Sequence, residues 1–285
     1  MIFAAGLGTR LRPLTEHMPK ALVSIAGEPM LKRVIMQLKE SGFDEIVINV
    51  HYYPDMIIDY LKKNNYFGVK IHISDERNEL LNTGGGLLQA RKFLNKFDKN
   101  IFCNNINTYS DLINNESEDD NIFINDLNDI SISGMHSFLV HNVDILSNCD
   151  LTKLYRTHIA TNSWAEATML VSRRNSTRQL LFDENNLLCG WINKITGETK
   201  PKYIEYKEGK YSEYAFSGIQ VINPSLFDLM LEYNYKDNFS IIDFYMDMLE
   251  NKELCVYGYI DNNLQVLDIG KPETIIEAEN FIKTL

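Results

Sequence analysis

Four cysteines in 285 residues, at positions 103, 149, 189 and 255, form no Cys-x-x-Cys pair. A set so scattered builds neither a disulfide framework nor a zinc site, and it fits a reducing compartment. Positive charge is also scarce. Lys and Arg number 28 against 39 Asp and Glu, a formal charge of -11, which argues against a nucleic-acid partner. No apolar run is long enough to span a bilayer, and Met1–Ala5 runs directly into Gly6 without the basic start of a secretory signal. No membrane partner and a cytoplasmic location are therefore expected. There is no Pro/Gly-rich linker to mark a domain boundary and no internal repeat, so neither a solenoid nor a carboxyl-terminal β-helix is expected. His51, His72, His136 and His141 lack ligand-like spacing and read as structural or surface residues. Trp164 and Trp191 read as packing, with Trp191 also a candidate for the rim of a sugar pocket. What the chain does have is ordinary globular composition, 45% apolar and 24% charged, enough for one large α/β domain or two small ones.

Along the chain, apolar runs of strand length alternate with amphipathic stretches. "MIFAA" reads as a short buried strand. Met30, Leu31, Val34, Ile35 and Leu38 share one helical face, and Gly42 stands where a helix would stop. "EIVINV" (Glu45–Val50) is a second strand, followed by a helix over "PDMIIDYLKKN". Val69–Ser74 is a third strand, followed by a polar loop, "TGGG" and the helix "LLQARKFL". Strand–helix alternation with short connections implies right-handed crossovers and a mostly parallel sheet covered on both faces. Asn100–Gly134, polar and acidic at Glu116–Asp120, reads as an insertion. Strands resume at Ser137–Asp144 and "WAEATMLVSRR". A hairpin turning at Asn185–Asn186 follows, then the strand "YAFSGIQVINP" and two helical stretches. "LCVYGYI" and "LQVLDIG" read as a final strand pair before a closing helix.

The amino-terminal string "AAGLGTRLRPLTEHMPKAL" carries the chemistry. The dinucleotide fingerprint requires a third glycine where Leu11 stands and an acidic residue ending the next strand, where the chain has Asn49-Val50. The nucleoside-triphosphatase loop requires Gly-Lys-Ser/Thr, which is absent. What remains is a strand, a Gly-x-Gly-Thr-Arg turn and Pro19-Lys20. Such a turn aims backbone N–H groups of Ala4, Ala5, Gly6, Leu7, Gly8 and Thr9 at phosphate oxygens. Arg10 can fork onto a diphosphate, and Lys20 supplies a compact charge.

The string resembles the signature of the sugar-nucleotide pyrophosphorylases, which make NDP-sugars from an NTP and a sugar 1-phosphate. "VSIAGEPML", "TGGGL", "HNVD", "FSGI" and "LDIGKPETIIEAE" are similar to that family's later segments. Val143 replaces its usual middle glycine, Lys271 stands where it has Thr, and Asn82 where it often has Glu. The family's Glu-Lys-Pro element is not cleanly present, since Lys194, Lys200-Pro201 and Lys202 fit it poorly. The resemblance implies a Rossmann-like, glycosyltransferase-A-like α/β fold with a small β-rich substrate-side subdomain, in a single domain over 1–285. It implies catalytic roles for Arg10 and Lys20, and nucleoside contacts from Thr83, Gly84 and Gly85, where Asn82 or Thr83 would also cap a helix. It implies sugar contacts from Asn142, Phe216, Ser217 and Gly218, and Mg²⁺ on Asp144 and Asp268. Strand-end aspartates ordinarily cap or turn the chain, but two converging carboxylates would need a cation to relieve their repulsion.

The expected activity is attack of a sugar 1-phosphate on the α-phosphorus of an NTP, uridylyl or guanylyl transfer being the leading options. Phosphocholine cytidylyl transfer, a non-catalytic nucleotide-sensing subunit and a glycosyltransferase are the alternatives. The last would want Asp-x-Asp, and Asn142-Val143-Asp144 lacks its first carboxylate. Oligomeric state is not readable from the sequence.

Overall fold

The computed structural model describes residues 1–95, 137–161, 164–251 and 253–283. The expected insertion at 100–134 lies outside them, as do Cys103 and His136. Cys149, Cys189 and Cys255 are free thiols. Among the described residues no helix is long and apolar enough to cross a membrane.

The described strands are β1 (Ile2–Phe3), β2 (Ser24–Ile25), β3 (Glu28–Pro29), β4 (Glu45–Val50), β5 (Lys70–Asp75), β6 (Phe138–Asn142), β7 (Ile145–Ser147), β8 (Ala167–Ser172), β9 (Arg178–Phe182), β10 (Leu188–Asn193), β11 (Thr199–Lys200), β12 (Ser212–Ile222), β13 (Val256–Ile260) and β14 (Val266–Asp268). The helices are α1 (Met30–Glu40), α2 (Pro54–Lys63), α3 (Asn82–Leu94), α4 (Leu151–Thr161), α5 (Ser225–Glu232), α6 (Ile241–Asn251) and α7 (Glu273–Ile282). The main sheet runs β11-β10-β9-β12-β6-β1-β4-β5, with β8 joining β12 to β13. Its β6-β1-β4-β5 block is parallel, whereas β12 pairs antiparallel with β6, β8 and β9, and β9 with β10. That antiparallel side is the β-rich part the sequence suggested.

The sheet is covered on both faces because its strands alternate between two cores. Ile46, Ile48 and Val50 of β4 join the core packed by α1, α2 and α4. Val47 points the other way, into the core packed by α3, α5 and α6. In α1 all five residues of the expected apolar face are buried, each contributing on the order of 1.5–3 kcal/mol. Gly42, at φ +89°, ends that helix in a Schellman motif: Phe43 N–H donates to the Leu38 carbonyl and Gly42 N–H to that of Lys39, both at 3.0 Å. In α2, Pro54 starts the helix, Asp55 sits in the first turn, and Lys62 and Lys63 in the last oppose the helix dipole.

Three expectations are corrected. "LCVYGYI" and "LQVLDIG" do not pair with each other: β13 adds to β8 and β14 to β7. The glycines of "TGGG" lie inside α3 rather than before it. Trp164 is 62% exposed, with an edge contact to Tyr257. The hairpin turns where expected, with Asn186 at φ +60° and the Asp183 carboxylate accepting from the N–H groups of Asn185 and Leu187.

Candidate active site

β1 lies at the centre of the parallel block, with β4 on one side and β6 on the other. The chain changes sides at that strand, and open α/β sheets hold ligands at such a point, beyond the carboxyl ends of their strands. A cavity of about 430 Å³ opens there. Ala4 to Arg10 enter it from β1, Asn142, Val143 and Asp144 from β6, and Glu76 from β5, together with Lys20.

The glycine turn has the geometry its residues dictate. Gly8 sits at φ +65°, and a Cβ there would come within 3.0 Å of both Lys20 Cβ and Thr15 Cγ2. Thr15 Oγ1 donates to the Gly8 carbonyl at 2.7 Å, and fully buried Leu11 anchors the end of the turn. Nothing lies within 4 Å of where a Gly6 Cβ would be, which leaves that backbone open to close approach by a ligand. Arg10 reaches across the cavity, where its guanidinium lies 3.0–3.1 Å from where a Gly270 Cβ would be. Lys20, 8% exposed, donates its Nζ to Asp144 Oδ2. The sequence assigns these two groups to a phosphate and a metal; the structure joins them to each other.

Asp268 is brought to the same corner by a two-stranded ribbon. It stands opposite Ile145 in the β14–β7 register, and Ile269 N–H donates to the Asp144 carbonyl at 2.9 Å. Asp268 does not line the cavity itself, although Gly270 does. Its Oδ1 is buried without a hydrogen-bond partner. An orphaned carboxylate oxygen on a residue whose strand is joined by its backbone to Asp144 fits a hard divalent cation, which takes one or two protein carboxylates and fills its sphere with water and phosphate oxygens. Among the described residues no group of three or more His, Cys, Asp or Glu is arranged for a metal, so the pair would be a partial ligand set of that kind.

Among the lining residues that escaped the sequence reading, two hold the start of the glycine turn. Asn49, noted there only for not being acidic, accepts the Ala4 N–H at Oδ1 (2.7 Å) and donates to Glu76 Oε1 at 2.8 Å. Glu76 is 3% exposed and its Oε2 has no hydrogen-bond partner. Burial raises its pKa, against the opposing pull of the Asn49 amide. A Cβ on Gly86 would stand 2.7 Å from Glu76 Oε1, so that glycine makes room for the pair. The only hint in the sequence was a polar residue inside an otherwise apolar strand. His141, fully buried beside Asn142, has its pKa lowered to about 4 by desolvation.

The structure separates the expected nucleoside residues. Asn82 and Thr83 line the cavity, but Gly84 and Gly85 do not: their N–H groups donate to the Phe239 carbonyl at 2.9 and 3.3 Å. A Cβ on Gly84 would meet the Phe239 ring at 2.2 Å, and one on Gly85 the Asp237 carbonyl at 1.9 Å. These glycines let the segment before α6 dock on α3. Thr83 Oγ1 accepts the Ile241 N–H at 3.0 Å, so its hydroxyl serves the same docking. Asn82, at φ +61°, accepts the Thr83 N–H at its Oδ1 (2.8 Å), so of the two expected caps it is Asn82 that serves the first turn of α3.

The sugar-side residues divide likewise. Asn142 lines the first cavity, whereas Phe216 lines a second, of about 290 Å³, with Arg174, Arg178, Trp191 and Lys200. Ser217 is wholly buried with its Oγ unpartnered, and Gly218 packs against Ile145 and Asn142. Neither lines either of these two cavities. Lys194 is engaged by Glu213 at 2.8 Å and Tyr206 at 2.9 Å.

Residues 1–124 match the family described as Nucleotidyl transferase. It is similar to the N-acetylmuramate alpha-1-phosphate uridylyltransferase of Caulobacter vibrioides, 43% identical over 96 residues, which is 33% of this chain and 40% of that protein. It is also similar to the mannose-1-phosphate guanyltransferase of Aspergillus oryzae, 40% identical over 112 residues, 39% of this chain and 30% of that one. The matched stretches thus span less than half of either relative. In fold it resembles HddC of Yersinia pseudotuberculosis, solved with GMP-PN: TM-score 0.66, 21% identity, 99% of this chain and 97% of that one covered.

Proposed function

We propose, from the premise of a nucleotidyl transferase domain, that the protein makes an NDP-sugar and pyrophosphate from an NTP and a sugar 1-phosphate. An oxygen of the sugar phosphate attacks the α-phosphorus in line, a new P–O bond forms, and the bond to the bridging β-oxygen breaks to release pyrophosphate. Such transfers depend on positioning and charge neutralisation rather than on a covalent enzyme intermediate. One observation carries the reading: the glycine turn, Arg10, and the Lys20–Asp144 pair all meet in one cavity at the carboxyl ends of the parallel strands.

Within that cavity the backbone of Gly6 to Thr9 and the Arg10 guanidinium hold the β- and γ-phosphates. Lys20 moves its ammonium from Asp144 to the α-phosphate as charge develops there. Proteins of this family generally use a divalent metal; here Asp144 and Asp268 would hold it, and their all-oxygen chemistry fits Mg²⁺. When bound it polarises the reacting phosphate and screens its charge. Asn49 and Glu76 fix the start of the turn through the Ala4 N–H. The relatives support uridylyl and guanylyl transfer as the two base choices.

Pyrophosphate release with four NTPs and several sugar 1-phosphates tests this. Activity with one pair is expected, and Lys20→Ala is expected to lower its rate on the order of a hundredfold or more with the fold intact. Tight nucleotide binding without turnover of any pair would instead favour a sensing protein.

A further inference from the structure

A backbone turn that offers N–H groups to an anion also carries carbonyl oxygens, and these repel it. The two ends of the glycine turn are tied in ways that separate donors from acceptors. At the start, the Ala4 N–H is engaged by Asn49 Oδ1 at 2.7 Å. At the end, the Gly8 carbonyl accepts twice, from the Leu11 N–H at 2.9 Å and from the Thr15 hydroxyl at 2.7 Å. Those two donors fill both of its lone pairs. Between the ends, the N–H groups of Gly6, Leu7 and Gly8 meet no acceptor among the described residues.

The residue that holds the Gly8 carbonyl is itself held. Thr15 is 1% exposed. Leu14 N–H donates to the Leu11 carbonyl at 3.0 Å and Glu16 N–H to that of Pro13 at 3.1 Å. Tyr53, between β4 and α2, donates its phenol to the Glu16 carbonyl at 2.8 Å. The two branches of Thr15 then do different things. Its Cγ2 methyl occupies the space beside Gly8, 3.0 Å from where a Cβ would be, and its hydroxyl makes the bond. Gly8 and Thr9 line the cavity, whereas Thr15 does not. The Gly8–Thr9 peptide is trans, so its carbonyl and its N–H point in opposite directions.

We infer that Thr15 is a positioning residue for the triphosphate. Its hydroxyl draws the Gly8 carbonyl off the cavity side, so that the turn presents N–H groups and not an oxygen to the β- and γ-phosphates. The inference rests on the transfer reading above. A carbonyl released into the cavity would set one partial negative charge against another, and the preorganised Thr9 N–H dipole would turn away with it.

The test separates the hydroxyl from the packing. Thr15→Val keeps both branches and removes the hydroxyl; Thr15→Ser keeps the hydroxyl and removes the methyl. Calorimetry with ATP, CTP, GTP and UTP identifies the NTP that binds best. That NTP and its monophosphate are then compared in the wild type and both variants, alongside thermal unfolding. Thr15→Val is expected to weaken the NTP about tenfold and the monophosphate less than twofold. Thr15→Ser is expected to bind both as the wild type does, although it unfolds at a lower temperature. A merely structural role would make affinity follow thermal stability, whereas positioning makes it follow the hydroxyl. Unchanged NTP affinity in Thr15→Val, equal weakening of NTP and monophosphate, or a loss of affinity in Thr15→Ser that tracks its loss of stability overturns the inference. Should Thr15→Val not fold, the serine variant decides by the same criterion. Hydroxyl-dependent NTP binding without turnover of any sugar 1-phosphate supports the positioning role while the transfer reading fails. Turnover with an unchanged KM for NTP in Thr15→Val overturns the positioning role alone. A wild type that binds no NTP overturns both.

Discussion

At Gly8 two requirements coincide: φ is +65° and Lys20 and Thr15 crowd the missing side chain. Gly8→Ala therefore strains the backbone and displaces the lysine together. A loss of about 1–3 kcal/mol in chemical denaturation is expected, with a fall in nucleotide affinity read by titration. Asp268→Asn tests the orphaned oxygen. It keeps the size of the side chain and removes its charge, so the dependence of activity on divalent cation should move to higher concentration. His158 supplies a pH prediction away from the site. It is fully buried between Thr168 and Ser137, and desolvation lowers its pKa from 6.5 to about 4. The unfolded chain binds that proton more readily, so stability is retained above pH 6.5 and drains away as pH falls toward 4. The full effect is about 3 kcal/mol. Urea midpoints across that range should slope less steeply in His158→Gln than in the wild type. Several of these residues were legible from type and spacing alone: Gly6, Gly8, Arg10 and Lys20 stand within one short string. Glu76 and Asn49 were not, because their role comes from burial and a mutual hydrogen bond that no spacing encodes.

The run Gly84–Gly86 has a packing role that its local sequence does not announce. A glycine triplet near a helix start reads as backbone shaped for a ligand; here Gly84 and Gly85 admit the 237–241 segment, and Gly86 clears space for Glu76. The partner lies far along the chain, so nothing near the glycines announces it. Gly85→Ala would push a methyl group into the Asp237 carbonyl; a loss of about 1–3 kcal/mol or more is expected in thermal or urea unfolding, whether or not nucleotide is present. By contrast α1, α2, β4 and the 178–193 hairpin could be read locally, since apolar spacing, Pro54, Gly42 and Asp183 each act within a few residues. The destinations of β13 and β14 could not, because both are strand-like and only tertiary pairing separates them.

At the scale of the whole molecule, the order of the parallel block follows from short crossovers, but the position of the antiparallel strands around β12 depends on which edge each return strand finds. The first cavity opens at the carboxyl ends of the parallel strands, and any ligand bound there stabilises the fold by mass action. Mg²⁺ with the correct NTP at about one hundred times its Kd should add about 2.7 kcal/mol to unfolding. Thermal shift measured with and without a chelator reads that increment, and a wrong nucleotide should give little of it.

The β14–β7 ribbon has a consequence in time as well as space. Asp268 and Gly270 complete a corner otherwise built from residues 4–20 and 142–144. During synthesis, then, the nascent sheet can assemble its glycine turn while the pocket stays unfinished, and the cavity acquires its last wall only after position 270 has cleared the ribosome.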